Sequence, residues 1–234
     1  MVVPVELKDA RDVPGYSLKE TAYYFGLPAS TVRLWARGQA YPTQRYGRRQ
    51  AEPLFSLAQQ RPPLLSFWNL VEVYVLATIR RVHEVPMPRL RAAIDFLTEH
   101  PKFRLDRPLL QQELLTDGID LFVENLQDLI VVSRGGQSAV REQIRGALRR
   151  IEHDPKGLAI RLFPWRRDHT ERRTVEIDPG RAFGRMVIAG TGIPIQIISE
   201  RFHSGDSIDA LATDYRLDRD QVEEAIRWDW RAAA

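Results

Sequence analysis

The chain has 234 residues, no cysteine and a formal net charge of +3 at pH 7. This length fits one or two domains, and 44% hydrophobic with 28% charged residues is ordinary for folded proteins. The absence of cysteine excludes disulfides, thiolate metal sites and cysteine nucleophiles. We find no signal-peptide pattern, and the apolar segment Leu64–Ile79 is interrupted by Asn69 and Glu72, so we expect a cytoplasmic protein without a membrane span.

The first predicted elements are two short helices near the N-terminus. Ser17 and Glu20 have the spacing of a capping box, and Gly26 is placed to end the helix that they begin. A second helix is predicted at about Ala29–Arg37, before Gly38. The apolar residues of the two helices recur at helical spacing: Leu18, Ala22 and Phe25, then Val32, Trp35 and Ala36. Two short helices joined by a tight turn predict a helix-turn-helix.

A basic stretch accompanies this motif and predicts contact with DNA. Tyr41–Arg49 has two aromatic residues near a glycine, which indicates a short hairpin or wing, and no acidic residue lies between Glu20 and Glu52. Short polar and arginine side chains can read the major groove, and wing arginines can bind phosphate or enter the minor groove. The expected DNA-binding residues are Ser30, Thr31, Arg33, Arg37, Arg45, Arg48 and Arg49. The alternative is a solvated basic face on a structural helical unit.

The middle of the chain has a mixed pattern. Gln59–Pro63 is rich in proline and glutamine, which predicts a linker. The elements predicted after it are helices at about Phe67–Val82 and Pro88–Glu99, a hairpin around Thr116–Gly118, a helix over Val140–Ile151 and a strand over Gly157–Phe163.

The C-terminal quarter is predicted to hold a strand, a turn and three short helices. The strand is Thr174–Ile177, the turn is Asp178–Gly180, and the helices are near Pro194–His203, Ile208–Tyr215 and Arg219–Trp228. From Thr174 onward there are eleven acidic and seven basic residues, which suits a basic protein surface better than phosphate. Three short helices can also form a helix-turn-helix, so DNA binding by this end stays an alternative.

Nothing in the sequence predicts catalysis or a cofactor. None of the five histidines has a metal-site spacing, and no nucleophile elbow is present. The glycine-rich Gly190–Pro194 lacks the spacing and lysine of a phosphate loop, so we interpret it as a structural turn before a helix. We expect a protein that is not an enzyme and holds no metal. A metal-dependent nuclease is the alternative, which a cleavage assay would test.

Two segments resemble known families. Ser17–Ala22 and Leu27–Trp35, followed by the predicted helix at Leu64–Glu72, resemble the MerR-like winged helix-turn-helix. The C-terminal segment resembles a domain of unknown function (number 433) that recurs in VapB-like antitoxins. It keeps the motif residues Gly184, Ile188, Gly190, Thr191, Ile193 and Pro194, together with Val175–Pro179, Gly205–Asp209 and Asp214–Tyr215. Met186 and Gly192 stand where proline and arginine are usual, so no contact of that arginine is carried over.

The resemblance implies an antitoxin of a type II toxin–antitoxin system that represses its own operon and neutralises a PIN-type ribonuclease. We predict a mostly helical α+β fold with three parts: a winged helix-turn-helix DNA-binding domain with two following helices (1–100), a mixed α/β middle segment (101–165) and a three-helix antitoxin-type domain (174–234). The expected partners are operator DNA, the toxin and a second copy of the chain. The alternative is a stand-alone winged-helix transcription regulator whose middle segment senses a ligand.

Overall fold

A computed structural model describes residues 9–43, 47–83, 87, 90–91, 94–96, 107–110, 142, 144–165 and 172–229. The hairpin predicted around Thr116–Gly118, the wing residue Arg45 and much of the helix predicted at Pro88–Glu99 lie outside these residues. The fold combines α-helices with small antiparallel sheets, which confirms the predicted α+β class. Every helix in the described ranges falls short of the length or hydrophobicity that crossing a bilayer requires.

The N-terminal helix-turn-helix is formed by α1 (Leu18–Tyr24) and α2 (Ala29–Arg37), after the short strand β1 (Tyr16–Ser17). Ser17 and Glu20 make the predicted capping box. Gly26 and Gly38 follow the two helices with φ of 57° and 71°, a left-handed conformation that glycine adopts at little cost. The predicted inner residues of α2 are buried, namely Val32, Trp35 and Ala36. These predictions are therefore confirmed.

The wing is an antiparallel hairpin of β2 (Gln39–Thr43) and β3 (Gly47–Ala51), as predicted. The linker predicted at Gln59–Pro63 is wrong. That segment forms most of a second hairpin, made by β4 (Gln59–Gln60) and β5 (Pro63–Leu65), and Leu65 of β5 pairs with Tyr16 of β1. The chain therefore returns to the start of the helix-turn-helix instead of leaving it.

Helix α3 (Phe67–His83) supplies many residues of the hydrophobic core. Nine consecutive residues, from Asn69 to Ala77, are buried, so this part of the helix is enclosed on all sides. Tyr74 packs its ring against Phe25 of the helix-turn-helix, with 5.5 Å between ring centroids. Its hydroxyl donates to the carbonyl oxygen of Ala147 in the middle segment, at 3.1 Å. This helix thus links the N-terminal motif to the rest of the fold.

A four-stranded antiparallel sheet joins the middle segment to the C-terminal segment. Its order is β6 (Ile151–His153), β7 (Ala159–Leu162), β8 (Val175–Ile177) and β9 (Met186–Ile188). Strands β7 and β8 confirm two predictions. The helix predicted to run through Ile151 ends sooner, because residues 149–150 turn and Ile151 pairs with Leu162.

The three C-terminal helices are α4 (Ile195–His203), α5 (Ile208–Tyr215) and α6 (Arg219–Trp228), and each agrees with its predicted bounds to within one residue. Ser207 and Asp218 cap α5 and α6 through backbone N–H groups of the first turn. The predicted turn at Gly190–Pro194 leads into α4, with Pro194 at its N-cap. All three helices pack on one another.

One hydrophobic core runs through the described residues, from Tyr16 to Trp228. Helix α1 of the helix-turn-helix contacts α6 directly. Tyr24 lies 6.5 Å from Trp228 between ring centroids, and the hydroxyl of Tyr23 donates to the carbonyl oxygen of Arg227 at 2.7 Å. The division into domains at residues 100 and 174 stays a prediction. Because both ends of the chain share this core, experiments on the protein should use the full chain.

Candidate nucleic-acid interface

The exposed side of α2 carries the predicted reading face. Ser30, Arg33, Leu34 and Arg37 are exposed, while Thr31 is half-buried. Positions spaced by three, four and seven residues share one side of a helix, so the four exposed residues form a single face. We call Ser30, Arg33, Leu34 and Arg37 the α2 face. The core residues Val32 and Trp35 hold the opposite side of the helix.

Arg33 and Arg37 have no hydrogen-bond or ion-pair partner among the described residues. The sequence explains this, because no carboxylate lies between Glu20 and Glu52 and the first turn of α2 is also free of acidic residues. An unpaired, exposed guanidinium keeps its donors available for phosphate or for the edge of a guanine base.

A shallow cleft of about 580 Å³ extends from the end of α2. It is lined by Ala36 and Arg37 of that helix, by Pro53, and by Gln60 and Arg61 of the second hairpin. The Leu54 N–H donates a backbone hydrogen bond of 2.8 Å to the carbonyl oxygen of Trp35, which joins the segment after the wing to the end of α2. The cleft therefore brings a second arginine, Arg61, to the edge of the α2 face.

The wing hairpin follows this helix, and its strand β3 contains two of the predicted arginines. In the β2–β3 register, Arg48 lies opposite Pro42 and Arg49 lies opposite Tyr41. The side chains of this hairpin are outside the described part of the chain, as is the whole of Arg45. The contacts predicted for Arg45, Arg48 and Arg49 therefore stay predictions.

The C-terminal helices also have the connectivity of a helix-turn-helix, since α5 and α6 are joined by the three residues 216–218. Their surface differs from the α2 face. Arg201 binds Asp206 at 2.5 Å and Asp214 at 2.7 Å. Arg219 and Arg227 pair likewise with carboxylates of the same unit: Asp209, Glu223 and Glu224.

The C-terminal helices nevertheless carry a net negative charge. Residues 195–229 contain nine carboxylates and four arginines. The hydrogen bond from Arg219 to Asp209 raises the pKa of that arginine, which indicates a favourable ion pair within the unit. A surface with surplus carboxylates repels phosphate. The two helix-turn-helix motifs thus differ in charge, and only the N-terminal one presents unpaired arginines on its second helix within the described residues.

Comparison with known proteins agrees with a helix-turn-helix at the N-terminal end and a different unit at the C-terminal end. Residues 14–94 match a family described as "Putative DNA-binding HTH domain", and residues 175–228 match a "Protein of unknown function (DUF433)". A protein named "Putative antitoxin VapB45" from Mycobacterium tuberculosis is 30% identical, over 94% of this chain and 96% of its own length. This chain belongs to the VapB45 family. The resemblance of the two ends to a helix-turn-helix and to the 433 domain is thereby confirmed.

A second named relative and a solved crystal structure, both from Mycobacterium tuberculosis, are also similar to this VapB45-family chain. "Uncharacterized protein Rv2308" is 28% identical over 90% of this chain and 88% of its own. The crystal structure of Rv2018 has a TM-score of 0.66 at 24% identity, and the match covers 92% of this chain and 98% of that one. This structure supports the fold over nearly the whole length.

Two residues of the candidate interface were not predicted. Leu34 is 39% exposed on the α2 face, and Arg61 lines the cleft beside Arg37. The helical period could have placed Leu34, because it follows Ser30 by four residues and precedes Arg37 by three. Arg61 could not be placed in the same way, since its position depends on the pairing of β5 with the distant strand β1.

Proposed function

We propose that this protein is the antitoxin of a type II toxin–antitoxin pair. It binds operator DNA through the N-terminal winged helix-turn-helix, represses its own operon and neutralises a PIN-type ribonuclease toxin. The observation that carries the DNA half is the α2 face, where Arg33 and Arg37 are exposed and unpaired within the described residues. A wing hairpin follows this helix at once, and we expect its arginines to contact the same duplex.

The reading geometry follows from the helix-turn-helix. Helix α2 enters the major groove with Ser30, Thr31, Arg33 and Arg37 towards the bases, while the wing arginines contact phosphate or the minor groove. The protein acts as a homodimer on paired half-sites, because linking two binding events raises affinity without new contacts. Arg61 contacts the flanking phosphate from the cleft.

The toxin half of the proposal is supported by the name of the VapB45 relative and by the charge of the C-terminal helices. Their surplus of carboxylates complements the basic surface with which a ribonuclease holds RNA. In this assignment the negative C-terminal unit binds the toxin, and the positive N-terminal face remains available for DNA. The protein's role is therefore binding and regulation, not catalysis.

A gel shift with the full chain and DNA from upstream of its gene tests the DNA half. Arg33→Ala and Arg37→Ala should each weaken binding about tenfold, the loss typical of one arginine contact. Arg216→Ala and Arg219→Ala are the matched controls on the second helix-turn-helix and should leave binding unchanged. The opposite pattern would assign DNA binding to the C-terminal helices.

Co-expression with the adjacent open reading frame tests the toxin half. The neighbouring product alone should stop growth, and the full chain should restore growth and co-purify with that product. Failure of both would remove the antitoxin role and leave a DNA-binding regulator.

A further inference from the structure

The α2 face contains one apolar side chain that the charge argument does not use. Leu34 is 39% exposed, and it is one of four large hydrophobic side chains that are exposed within the described residues. Its neighbours on the face, Ser30, Arg33 and Arg37, are all polar or charged. Part of this aliphatic side chain therefore stays in contact with water even in the folded protein, where it gains no burial energy.

We infer that Leu34 is a specificity-determining residue that contacts the 5-methyl group of a thymine in the major groove. This inference rests on the proposed DNA-binding function. Among the four bases, thymine alone presents a methyl group in the major groove, and apolar side chains are the groups that recognise it. Arginines at positions 33 and 37 on the same face would fix the register of the helix, so that Leu34 meets one particular base step.

The size of the effect follows from the chemistry. Burial of one methyl group is worth about 0.8 kcal/mol, which corresponds to about fourfold in affinity. Arg33 and Arg37 therefore supply most of the affinity, and Leu34 supplies a preference at one position of each half-site. Removal of the Leu34 side chain should lower selectivity while binding itself persists.

The experiment is a thermodynamic cycle on the full chain. Footprinting of the wild-type protein on DNA upstream of its gene locates the site, and each thymine in it is then replaced by deoxyuridine, which removes only the methyl group. Wild-type binding should weaken about fourfold at one thymine of each half-site. Leu34→Ala should bind the natural site about fourfold more weakly than wild type and should be insensitive to deoxyuridine at that thymine.

Three controls separate this inference from the proposed function. Leu34→Met keeps an apolar group and should retain the sensitivity to deoxyuridine. Val13→Ala removes another exposed apolar side chain, 46% exposed and outside α2, and should behave as wild type. Arg33→Ala should weaken binding to the thymine and deoxyuridine sites by the same factor.

The outcomes are distinct. If the wild-type protein binds no upstream fragment, the proposed DNA-binding function fails and this inference fails with it. If the wild type binds but no thymine is sensitive, or if Leu34→Ala shows the wild-type sensitivity, Leu34 does not read a methyl group. The DNA-binding function would then stand without this inference.

Discussion

The hydroxyl of Tyr16 donates a 2.5 Å hydrogen bond to the backbone carbonyl oxygen of Gly184. The two residues are 168 positions apart, and they join the start of the helix-turn-helix to the turn that precedes β9. Tyr16 is buried, and Gly184 has a φ of +75°. The two ends of the chain that carry the proposed DNA and toxin surfaces are therefore held together by a contact that neither end can make alone.

Gly184→Ala should lower the free energy of unfolding by about 3 kcal/mol. A Cβ at this position would lie 2.6 Å from the Tyr16 hydroxyl oxygen, so the hydrogen bond would be lost, and the positive φ adds strain for any L side chain. Urea denaturation of the full chain measures the loss. Gly192→Ala is the control, because no other atom lies within 4 Å of a Cβ added at that position.

Tyr16→Phe should cost about 1–2 kcal/mol in the wild-type background, since it leaves a buried carbonyl oxygen unpaired. In the Gly184→Ala background the same change should cost less or even restore stability, because the clashing hydroxyl is removed. Strict additivity of the two changes would contradict the contact between these residues.

Glu72 should make the stability of the protein depend on pH. Burial raises the pKa of this carboxyl from 4.5 to about 7, although Arg107 and the 2.9 Å hydrogen bond from the side-chain amide of Asn69 act to lower it. The folded protein therefore binds the proton more tightly than the unfolded chain. The stability from this group is fully present below about pH 4.5 and is lost as the pH rises to about 7.

Glu72→Gln should remove this pH dependence and keep the hydrogen bond from Asn69. Between pH 5 and pH 8 the wild type should lose about 2–3 kcal/mol relative to this variant, as each pKa unit corresponds to about 1.4 kcal/mol. Thermal unfolding at several pH values provides the measurement. Glu142→Gln, whose carboxyl is 64% exposed, should follow the wild-type profile. Parallel profiles for Glu72→Gln and wild type would contradict a buried, protonated Glu72.

Phe183→Gly should stabilise the protein by about 0.5–1 kcal/mol. Phe183 is fully exposed and has a φ of 56° and a ψ of 36°, which is a strained conformation for a bulky residue. Glycine relieves the strain and loses no buried area. Arg185→Gly provides a control next to it, because Arg185 has an ordinary φ of −66° and should be destabilised by the same change. A lower melting temperature for Phe183→Gly would show that the turn is not strained.

The elements that the sequence predicts best are those with local signals at both ends. Helix α2 is followed by Gly38, and α5 and α6 begin at the caps Ser207 and Asp218. Capping side chains and left-handed glycines act within a few residues, so sequence spacing alone reveals them. The strands β7 and β8 also agree with the strands predicted at Gly157–Phe163 and Thr174–Ile177.

The errors concern pairings between distant residues. Gln59–Pro63 was predicted as a linker because its prolines and glutamines suit a loop, yet β5 pairs with β1 nearly fifty residues earlier. Ile151 fits an amphipathic helix, but its pairing with Leu162 draws it into a strand. Pairing of this kind depends on tertiary context more than on residue preference. The same limit hid Arg61, which reaches the candidate interface only through the second hairpin.

The salt dependence of DNA binding tests the central claim most directly. Each arginine–phosphate contact steepens the fall of log affinity with log salt by about 0.9, so the double variant Arg33→Ala/Arg37→Ala should show a slope shallower than wild type by up to about 2. The double variant Arg216→Ala/Arg219→Ala should keep the wild-type slope. An unchanged slope and affinity for the first pair, with a change for the second, would contradict the assignment of DNA binding to the N-terminal helix-turn-helix.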